Sequence, residues 1–297
     1  MLPLTIYVRK PKLFLIALLK KLGFLFSEST YLKMMFFLKT GHNLDLRNPK
    51  SFNEKIQWLK LNDRKVEYTD LVDKIKVKQI VSEKLNSDII IPTLGVWSRF
   101  EDIDFASLPD SFVLKTNHSG GSTGVIVCRD KNLLDKHNTK LLLERSLKSD
   151  IYKSLKEWPY KNVDKKIFAE KLIGDGNSDL NDYKLMCFNG KVLCSFVCLD
   201  RKSSSGMKIN FYDRDWVKLP FQRSYPSSST IVPKPMYYDK MIEYAEILSK
   251  NMRFARIDFY EVENKLYFGE VTFYPGSGFE TFTPELWDYT LGSWLKL

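Results

Sequence analysis

Histidine and cysteine are scarce in this 297-residue chain, which has three of the first and four of the second. His42, His118 and His137 lie too far apart to suggest a metal cluster. Cys128, Cys187, Cys194 and Cys198 form no C-x-x-C pair and have no histidine beside them, so zinc spacing is missing. Because the cysteines fall in apolar, strand-like runs, reduced core thiols and a reducing, cytoplasmic setting are expected. No Ser-His-Asp or Cys-His set stands out. Nor is any apolar run long enough to span a bilayer, since the stretch from Leu13 to Leu19 is interrupted by Lys20 and Lys21. A GxxxxGK(S/T) loop and a GxGxxG turn opening a helix are both lacking. So are RRM-like, zinc-finger and helix-turn-helix signatures, internal repeats and long low-complexity linkers.

What the chain does have is an ordinary globular composition, 44% hydrophobic and 28% charged, with a basic balance. Forty-six Lys and Arg against 36 Asp and Glu give +10 and a pI near 9.2. That favours anionic partners such as nucleotide phosphates, acidic glycans or anionic lipid. The basic residues are spread along the chain and not gathered in a stripe, so no nucleic acid partner is expected. The N-terminal "RKPKLFLIALLKKLGFLF" reads as a basic amphipathic helix with no small-residue cleavage site after it. Two readings stay open for it. It lies on an anionic membrane surface at the inner face, with Phe14, Leu15, Leu18 and Leu19 inserted and Lys12, Lys20 and Lys21 at the headgroups, or it packs on the protein's own core.

Further along, the pattern predicts a helix around Tyr31 to Leu38. Ser51 followed by Glu54 forms a capping box, predicting a second helix that packs Phe52, Ile56, Trp58 and Leu59. More helices are expected over 69–85, roughly 132–157 and 237–252. Between them lie short strands, among them "SFVLKTN", "TGVIVC", "KIFAEKLIG" and the hairpin "YKLMCFNGKVLCSFVCL", with Asn189-Gly190 as a type I' turn. Helices mixed with hairpin-joined strands argue for an α+β fold, not a doubly wound parallel sheet.

Near the C-terminus, "ARIDFYEVENKLYFGEVTFYPGSGF" reads as a hairpin whose strands are interrupted by Asp258 and Glu270. A register centred on Asn264 sets Asp258 opposite Glu270 and Arg256 opposite Thr272. Facing carboxylates repel, so a cation between them is expected, and Mg2+ suits a pair of hard oxygen ligands. On that account, removing one carboxylate from the metal-free chain would relieve repulsion and stabilise it. The plain alternative is an exposed face on which both acids flank Arg256 as an ion pair.

A second constellation is "FVLKTNHSGGSTGVIVC", a strand ending at Lys115, a loop rich in glycine and hydroxyls, and another strand. Gly120, Gly121 and Gly124 would let the backbone approach an anion, with Ser119, Ser122 and Thr123 adding donors. A glycine-rich hairpin turn explains the same residues without a ligand.

Taken in order, the Lys-ended strand, the glycine loop, "FAEKLIG", "DYKLMCFNGK" and "ARIDFYEV…LYFGEVT" resemble the ATP-grasp superfamily. "NPKSFNEKIQWLKLND", "VLKTNHSGGS", "DYKLMCFNGK" and "GEVTFYPGSGF" resemble its TupA-like, teichuronopeptide-biosynthesis branch from about residue 30 onward. The resemblance implies mixed or antiparallel sheets enclosing a nucleotide site, preceded by a helical N-terminal segment. The implied division is 1–45 for the N-terminal helical segment, 46–110 for a helical region before the nucleotide-binding part, and 111–297 for the ATP-grasp domain. It further implies ATP and Mg2+, with Lys115, Lys184 and Arg256 acting on the phosphates. His118, Ser119, Gly120, Gly121, Ser122 and Thr123 would form the covering loop. Glu170, Lys171, Leu172 and Asp175 would contact the nucleoside, and Asp258, Glu270 and Thr272 the metal. Many members end the second metal strand E-x-N, whereas this chain has Glu270-Val271-Thr272, which puts a weaker hydroxyl ligand in the third place. The implied reaction is amide formation through an acyl-phosphate, joining an acidic glycan or sugar-linked carboxylate to an amine or amino acid. Glycosyl transfer is the alternative, resting on Asp213-x-Asp215 in "YDRDW", and a membrane-surface protein that binds ATP without turnover is a third possibility.

Overall fold

The computed structural model describes residues 11–85, 87–121, 124–174, 180–201, 203 and 206–297. Strands β1 (Thr93–Trp97), β2 (Phe112–Thr116), β3 (Val125–Cys128) and β4 (Ile167–Lys171) form one sheet in the order β1-β4-β2-β3. A second sheet takes β5 (Asp182–Phe188), β6 (Lys191–Leu199) and β7 (Lys208–Asp213). After the short β8 (Gln222–Arg223) it adds β9 (Phe254–Val262) and β10 (Lys265–Thr272), in the order β10-β9-β5-β6-β7. Finally β11 (Phe282–Thr283) pairs with β8. Every pairing is antiparallel, which fits the expected α+β class.

The β5–β6 hairpin turns at Asn189-Gly190, both at positive φ (50° and 79°), the type I' geometry its sequence predicts. Helices α1 (Pro11–Leu22) and α2 (Glu28–Thr40) pack together through Ile16, Leu19, Tyr31, Leu32, Met35 and Phe36. Leu19, expected among membrane-inserting residues, is therefore part of this small core. Leu13, Phe14, Leu15 and Leu18 remain exposed. All four cysteines are free and buried, and no helix among the described residues is long and apolar enough to cross a membrane.

Two expected helices are broken. That over 69–85 is α4 (Glu67–Val72) and α5 (Lys76–Lys84), after α3 (Phe52–Asn62). The Asp73 carboxylate accepts from the N–H groups of Ile75 (2.9 Å) and Lys76 (3.3 Å), satisfying the donors of a new helix start in place of a continued ladder. The lysine-rich helix over 132–157 is α6 (Lys136–Leu147) and α7 (Ile151–Leu155), separated where Asp150 caps the N–H of Lys153 at 2.8 Å.

Helix α3 starts at the predicted capping box, with Ser51 Oγ accepting from Glu54 N and Glu54 from Ser51 N. Its apolar side buries Phe52 against Phe188 and Phe254, with ring centroids 5.9 and 5.1 Å away. Its second side carries Asn53, Gln57 and Lys60, which the i, i+4, i+7 spacing aligns. All three donate to the turn after β10: Asn53 Nδ2 to Glu280 O (2.7 Å), Gln57 Nε2 to Ser277 O and Gly278 O (2.9 and 2.7 Å), and Lys60 Nζ to Ser277 O and Oγ (2.9 and 2.8 Å). That turn holds Gly276, Ser277 and Gly278 at φ of 55°, 56° and 64°. A left-handed serine is strained, and the α3 donors offset the strain by satisfying the turn's carbonyls. Between α8 (Tyr238–Leu248) and the same sheet lies the main apolar core, including Met241, Ala245 and Leu248. Helix α9 (Leu286–Trp294) closes the chain against α3.

Lys60 is fully buried, and burial pushes its pKa down to about 7 despite the opposing charge of Glu157, which itself bonds Ser277. Lys60→Met would strip the Ser277 carbonyl and hydroxyl of a buried donor, so unfolding in urea at pH 7 should show a loss of about 1–3 kcal/mol.

Candidate active site

The C-terminal hairpin departs from a simple register. Its turn is Glu263-Asn264, both at positive φ, and near the turn Val262 pairs with Lys265. Farther out Ile257 pairs with Val271 and Arg256 with Thr272, as expected. Between these regions a bulge sets Gly269 and Glu270 against Asp258. Glycine is needed there, since a Cβ on residue 269 would lie 3.0 Å from the Asp258 carbonyl oxygen. The bulge thus restores the register that brings both carboxylates together.

They do not meet unaccompanied, nor on an exposed face. Arg256 Nε and Nη2 donate to the two oxygens of Asp258 at 2.7 Å each, and Nη2 also reaches Glu270 at 3.0 Å. Lys184 on β5, directly paired with Asp258, donates to the Asp258 carboxylate and contacts Asp182 at 2.6 Å. Arg201 shares Asp182 Oδ2 with Lys184, at 2.8 Å, and among the described residues the buried Oδ1 has no hydrogen-bond partner; Lys74 closes the other end of the row on Glu270. The result is a row of alternating sign: Arg201, Asp182, Lys184, Asp258, Arg256, Glu270, Lys74. Asp258 is 1% exposed, so the row lies largely out of water, where such contacts are strong and an unpaired member is costly. Burial would raise the pKa of Glu270, but Lys74, Arg256 and Lys184 outweigh it and hold the carboxyl well below the usual range.

A shorter row lies on the other sheet. Glu170 on β4 is salt-bridged to Lys115 of β2 and, at 2.9 Å, to Lys78 of α5. Burial is again overcome by the two lysines, and Glu170 is held below its ordinary value. The break between α4 and α5 links the sheets. Lys74 N donates to Asn117 O (2.9 Å), the Asn117 amide donates to Asp73 (2.8 Å), and the Lys74 ammonium reaches Glu270.

Asn117 begins the glycine loop. Ser119 is buried with its hydroxyl 3.3 Å from Thr116 O, while Gly120 and Gly121 are exposed and a Cβ on either would have open space. Gly121 and Gly124 have positive φ, and a Cβ on Gly124 would strike Ser146 at 2.4 Å. His118 is buried against α6, with Nε2 3.2 Å from Ser146 O. Since a carbonyl only accepts, Nε2 carries the proton, and among the described residues buried Nδ1 has no partner. Burial, with help from Lys165, lowers the His118 pKa to about 4, so the ring is neutral at pH 7.

Of the residues singled out from sequence, Lys184, Arg256, Asp258, Glu270 and Thr272 come together on the second sheet. Lys115 and Glu170 do so on the first. Thr272 Oγ1 lies 3.4 Å from Glu270. Lys171 is exposed at the end of β4, its N–H donating to Pro92 O at 3.0 Å, and Leu172 follows the strand. Ser122, Thr123 and Asp175 lie outside the described residues. Sequence reasoning missed Lys74, Lys78, Asp182 and Arg201. Alternation along β5 could have found Asp182, two residues before Lys184, whereas Lys74 and Lys78 sit in a lysine-rich helical pattern with nothing local to distinguish them. Asp213 accepts from the N–H groups of Asp215 and Val217 at 2.9 and 2.8 Å, so its carboxylate organises its own turn.

A family model described as TupA-like ATPgrasp matches residues 54–296. Among solved structures, D-alanine–D-alanine ligase from Bacillus anthracis complexed with ATP is similar at 16% identity and a TM-score of 0.38, over 68% of this chain and 53% of that one. The ATP-grasp ligase PsnB, complexed with a phosphomimetic variant of its minimal precursor, Mg and ADP, is similar at 9% and 0.41, over 82% and 59%. Biotin carboxylase from Campylobacter jejuni gives 16% and 0.41, over 74% and 41%. The chain spans about half the length of these proteins. No curated protein matches significantly.

The alternating row reverses the stability effect expected from sequence. Glu270→Gln leaves Lys74 and Arg256 under-compensated, so the metal-free variant should melt below wild type at pH 7. A depressed carboxyl stabilises above its unfolded value of 4.5, and that contribution is lost as pH falls below it toward the folded value. Wild-type urea midpoints should therefore drop below about pH 4.5, and the Glu270→Gln variant should show a flatter decline.

Proposed function

Because this chain belongs to the TupA-like ATP-grasp family, we propose that it is an ATP- and Mg2+-dependent carboxylate–amine ligase acting in surface polysaccharide assembly. The observation that carries this reading is the buried row of alternating charges across β5, β9 and β10, joined through Lys74 to the glycine loop. Each of the two rows carries one cation more than its anions, an excess suited to phosphates.

The donor set fits Mg2+. Asp258 and Glu270 offer hard oxygens across one bulge, with the Thr272 hydroxyl beside them. Both carboxylates are held by Arg256, Lys184 and Lys74, so Mg2+ would have to displace some of these cations and take its remaining ligands from phosphate and water. When bound, Mg2+ would neutralise phosphate charge and withdraw electron density from the transferred phosphoryl group.

In this reading Lys115 and Lys184 compensate the phosphates, and the backbone from Ser119 to Gly121 covers them, with His118 a buried, neutral support. Glu170 orients Lys115 and Lys78 while β4 leads to Lys171, Leu172 and Asp175 at the nucleoside. A carboxylate oxygen of the acid attacks the γ-phosphorus, the bond to the ADP oxygen breaks, and an acyl-phosphate forms beside Arg256. An amine nitrogen then attacks the acyl carbon, phosphate leaves with the C–O electron pair, and the nitrogen loses its proton. Positioning and charge compensation supply the catalysis, so no protein nucleophile is required. The acid is taken to be a uronic or related glycan acid and the partner an amine or amino acid. The local turn around Asp213 gives no support to the glycosyltransferase alternative.

The N-terminal helices support a peripheral site on an anionic bilayer. Phe14, Leu15 and Leu18 are exposed on α1, followed by Phe24 at 79% and Leu25 at 63% exposure. Lys12 reaches Lys39 O at 3.4 Å, and burial together with the neighbouring charge of Lys39 lowers the pKa of Lys20. An anionic headgroup would relieve that repulsion.

Mg-ATP should stabilise the protein more than any UDP- or GDP-sugar in a thermal-shift assay, and a larger shift with a nucleotide sugar would overturn the ligase reading. Asp258→Asn should lower acceptor-dependent ADP release by about 100-fold or more while the protein stays folded; near-normal turnover would remove the metal assignment. For the membrane site, Phe14→Ser with Leu18→Ser should weaken co-sedimentation with phosphatidylglycerol vesicles and leave Mg-ATP affinity unchanged. Those positions are chosen because Ile16 and Leu19 support the fold.

A further inference from the structure

Arg223 and Glu280 lie beyond the residues assigned so far. Arg223 is on β8, held by its pairing with Phe282 of β11, and is 3% exposed. Its guanidinium carbon lies 4.6 Å from the Phe196 ring centroid and 5.2 Å from that of Phe211. Phe196 also carries the Arg256 guanidinium, 5.8 Å from its centroid. Nη1 of Arg223 approaches the sulfur of Met186 at 3.8 Å, and Met186 pairs directly with Arg256 in the sheet. Arg223 therefore leans on the same face of the second sheet as the reacting groups, next to Arg256.

Its charge partner is Glu280, with Nε 3.0 Å from Oε2, yet the angle does not make a hydrogen bond and buried Nε is without one. Guanidinium has five N–H donors in a planar fork suited to two carboxylate oxygens. Among the described residues, this one has a misaligned acid, a thioether and two rings. The charge is paired, but the Nε–H is left without an aligned acceptor. Glu280 in turn lies against Gly276, where a Cβ would strike its carboxyl carbon at 2.1 Å. The Gly276–Gly278 turn that makes this room is the one fixed by Asn53, Gln57 and Lys60.

We propose that Arg223 and Glu280 form a subsite for a free amino acid, the α-carboxylate taken by Arg223 and the α-ammonium by Glu280. A zwitterion replaces one internal ion pair with two intermolecular ones and adds no net charge to a buried site. A simple acid would leave Glu280 without its cation, and a simple amine would leave Arg223 without its anion. The subsite rests on the ligase reading and gives it the amine-bearing substrate.

The test is calorimetric titration of the full chain with Mg-ADP present, using the protein amino acids and D-alanine as probes. Their decarboxylated amines and deaminated acids serve as matched controls. At least one amino acid should bind, with its amine and its acid each weaker by about tenfold or more. Glu280→Gln should lose that binding while keeping Mg-ADP affinity within about twofold of wild type. Arg223→Lys keeps the charge but not the fork and should also bind the amino acid more weakly. No binding by any amino acid at about 10 mM would overturn the subsite. So would binding that both variants leave intact. Loss of Mg-ADP binding by the wild type would instead strike the ligase reading beneath it, so the two failures are distinguishable.

Discussion

Charge compensation in a row governs this molecule. Seven charged side chains from three strands and two connecting segments stand in alternating sign from Arg201 to Lys74, and several are almost fully removed from water. None could be buried by itself at tolerable cost, because an isolated charge in a low-dielectric interior loses its hydration without return. Each is held by its neighbours, so removing one leaves those beside it under-compensated. The same property suits phosphate and metal. An incoming anion and a divalent cation can replace internal partners with external ones, with little change in total charge.

That row would be a local feature of one sheet without the turn at Asp73 to Ile75. There the chain leaves α4, caps a new helix with the Asp73 carboxylate, and turns Lys74 toward Glu270. Its backbone simultaneously binds Asn117 at the start of the glycine loop. One broken helix thus connects the two halves of the site. Helix α3 performs the corresponding task on the other side, where three donors fix a left-handed turn beside Glu280. The "SFNEKIQWLKL" segment thus serves that turn through Asn53, Gln57 and Lys60.

The contrast between α1 and the rest of the chain has the same physical origin. Many apolar side chains elsewhere find opposing elements and leave the surface, although Val66, Leu133 and Ile231 stay exposed. In α1, Ile16 and Leu19 are buried while Phe14, Leu15 and Leu18 stay partly exposed to solvent, because α2 covers one side of the helix. Flanking lysines then make the uncovered side amphipathic in a way that suits a charged interface.

Local rules were enough to read much of this from sequence. Capping chemistry located α3, the Asn-Gly pair located the β5–β6 turn, and strand alternation put Arg256 and Asp258 on one face and opposed Arg256 to Thr272. These depend on residues a few positions apart, whose geometry the backbone itself constrains. The bulge at Gly269, the break at Asp73 and the cations around the carboxylates were not legible, since each answers to a partner far along the chain. Lys74 meets Glu270 across 196 positions and Lys184 meets Asp258 across 74. A charge pattern records that compensation is available in the sequence. Only the packed sheets decide which lysine supplies it, because the energy of a buried pair depends on distance and desolvation that no local pattern specifies.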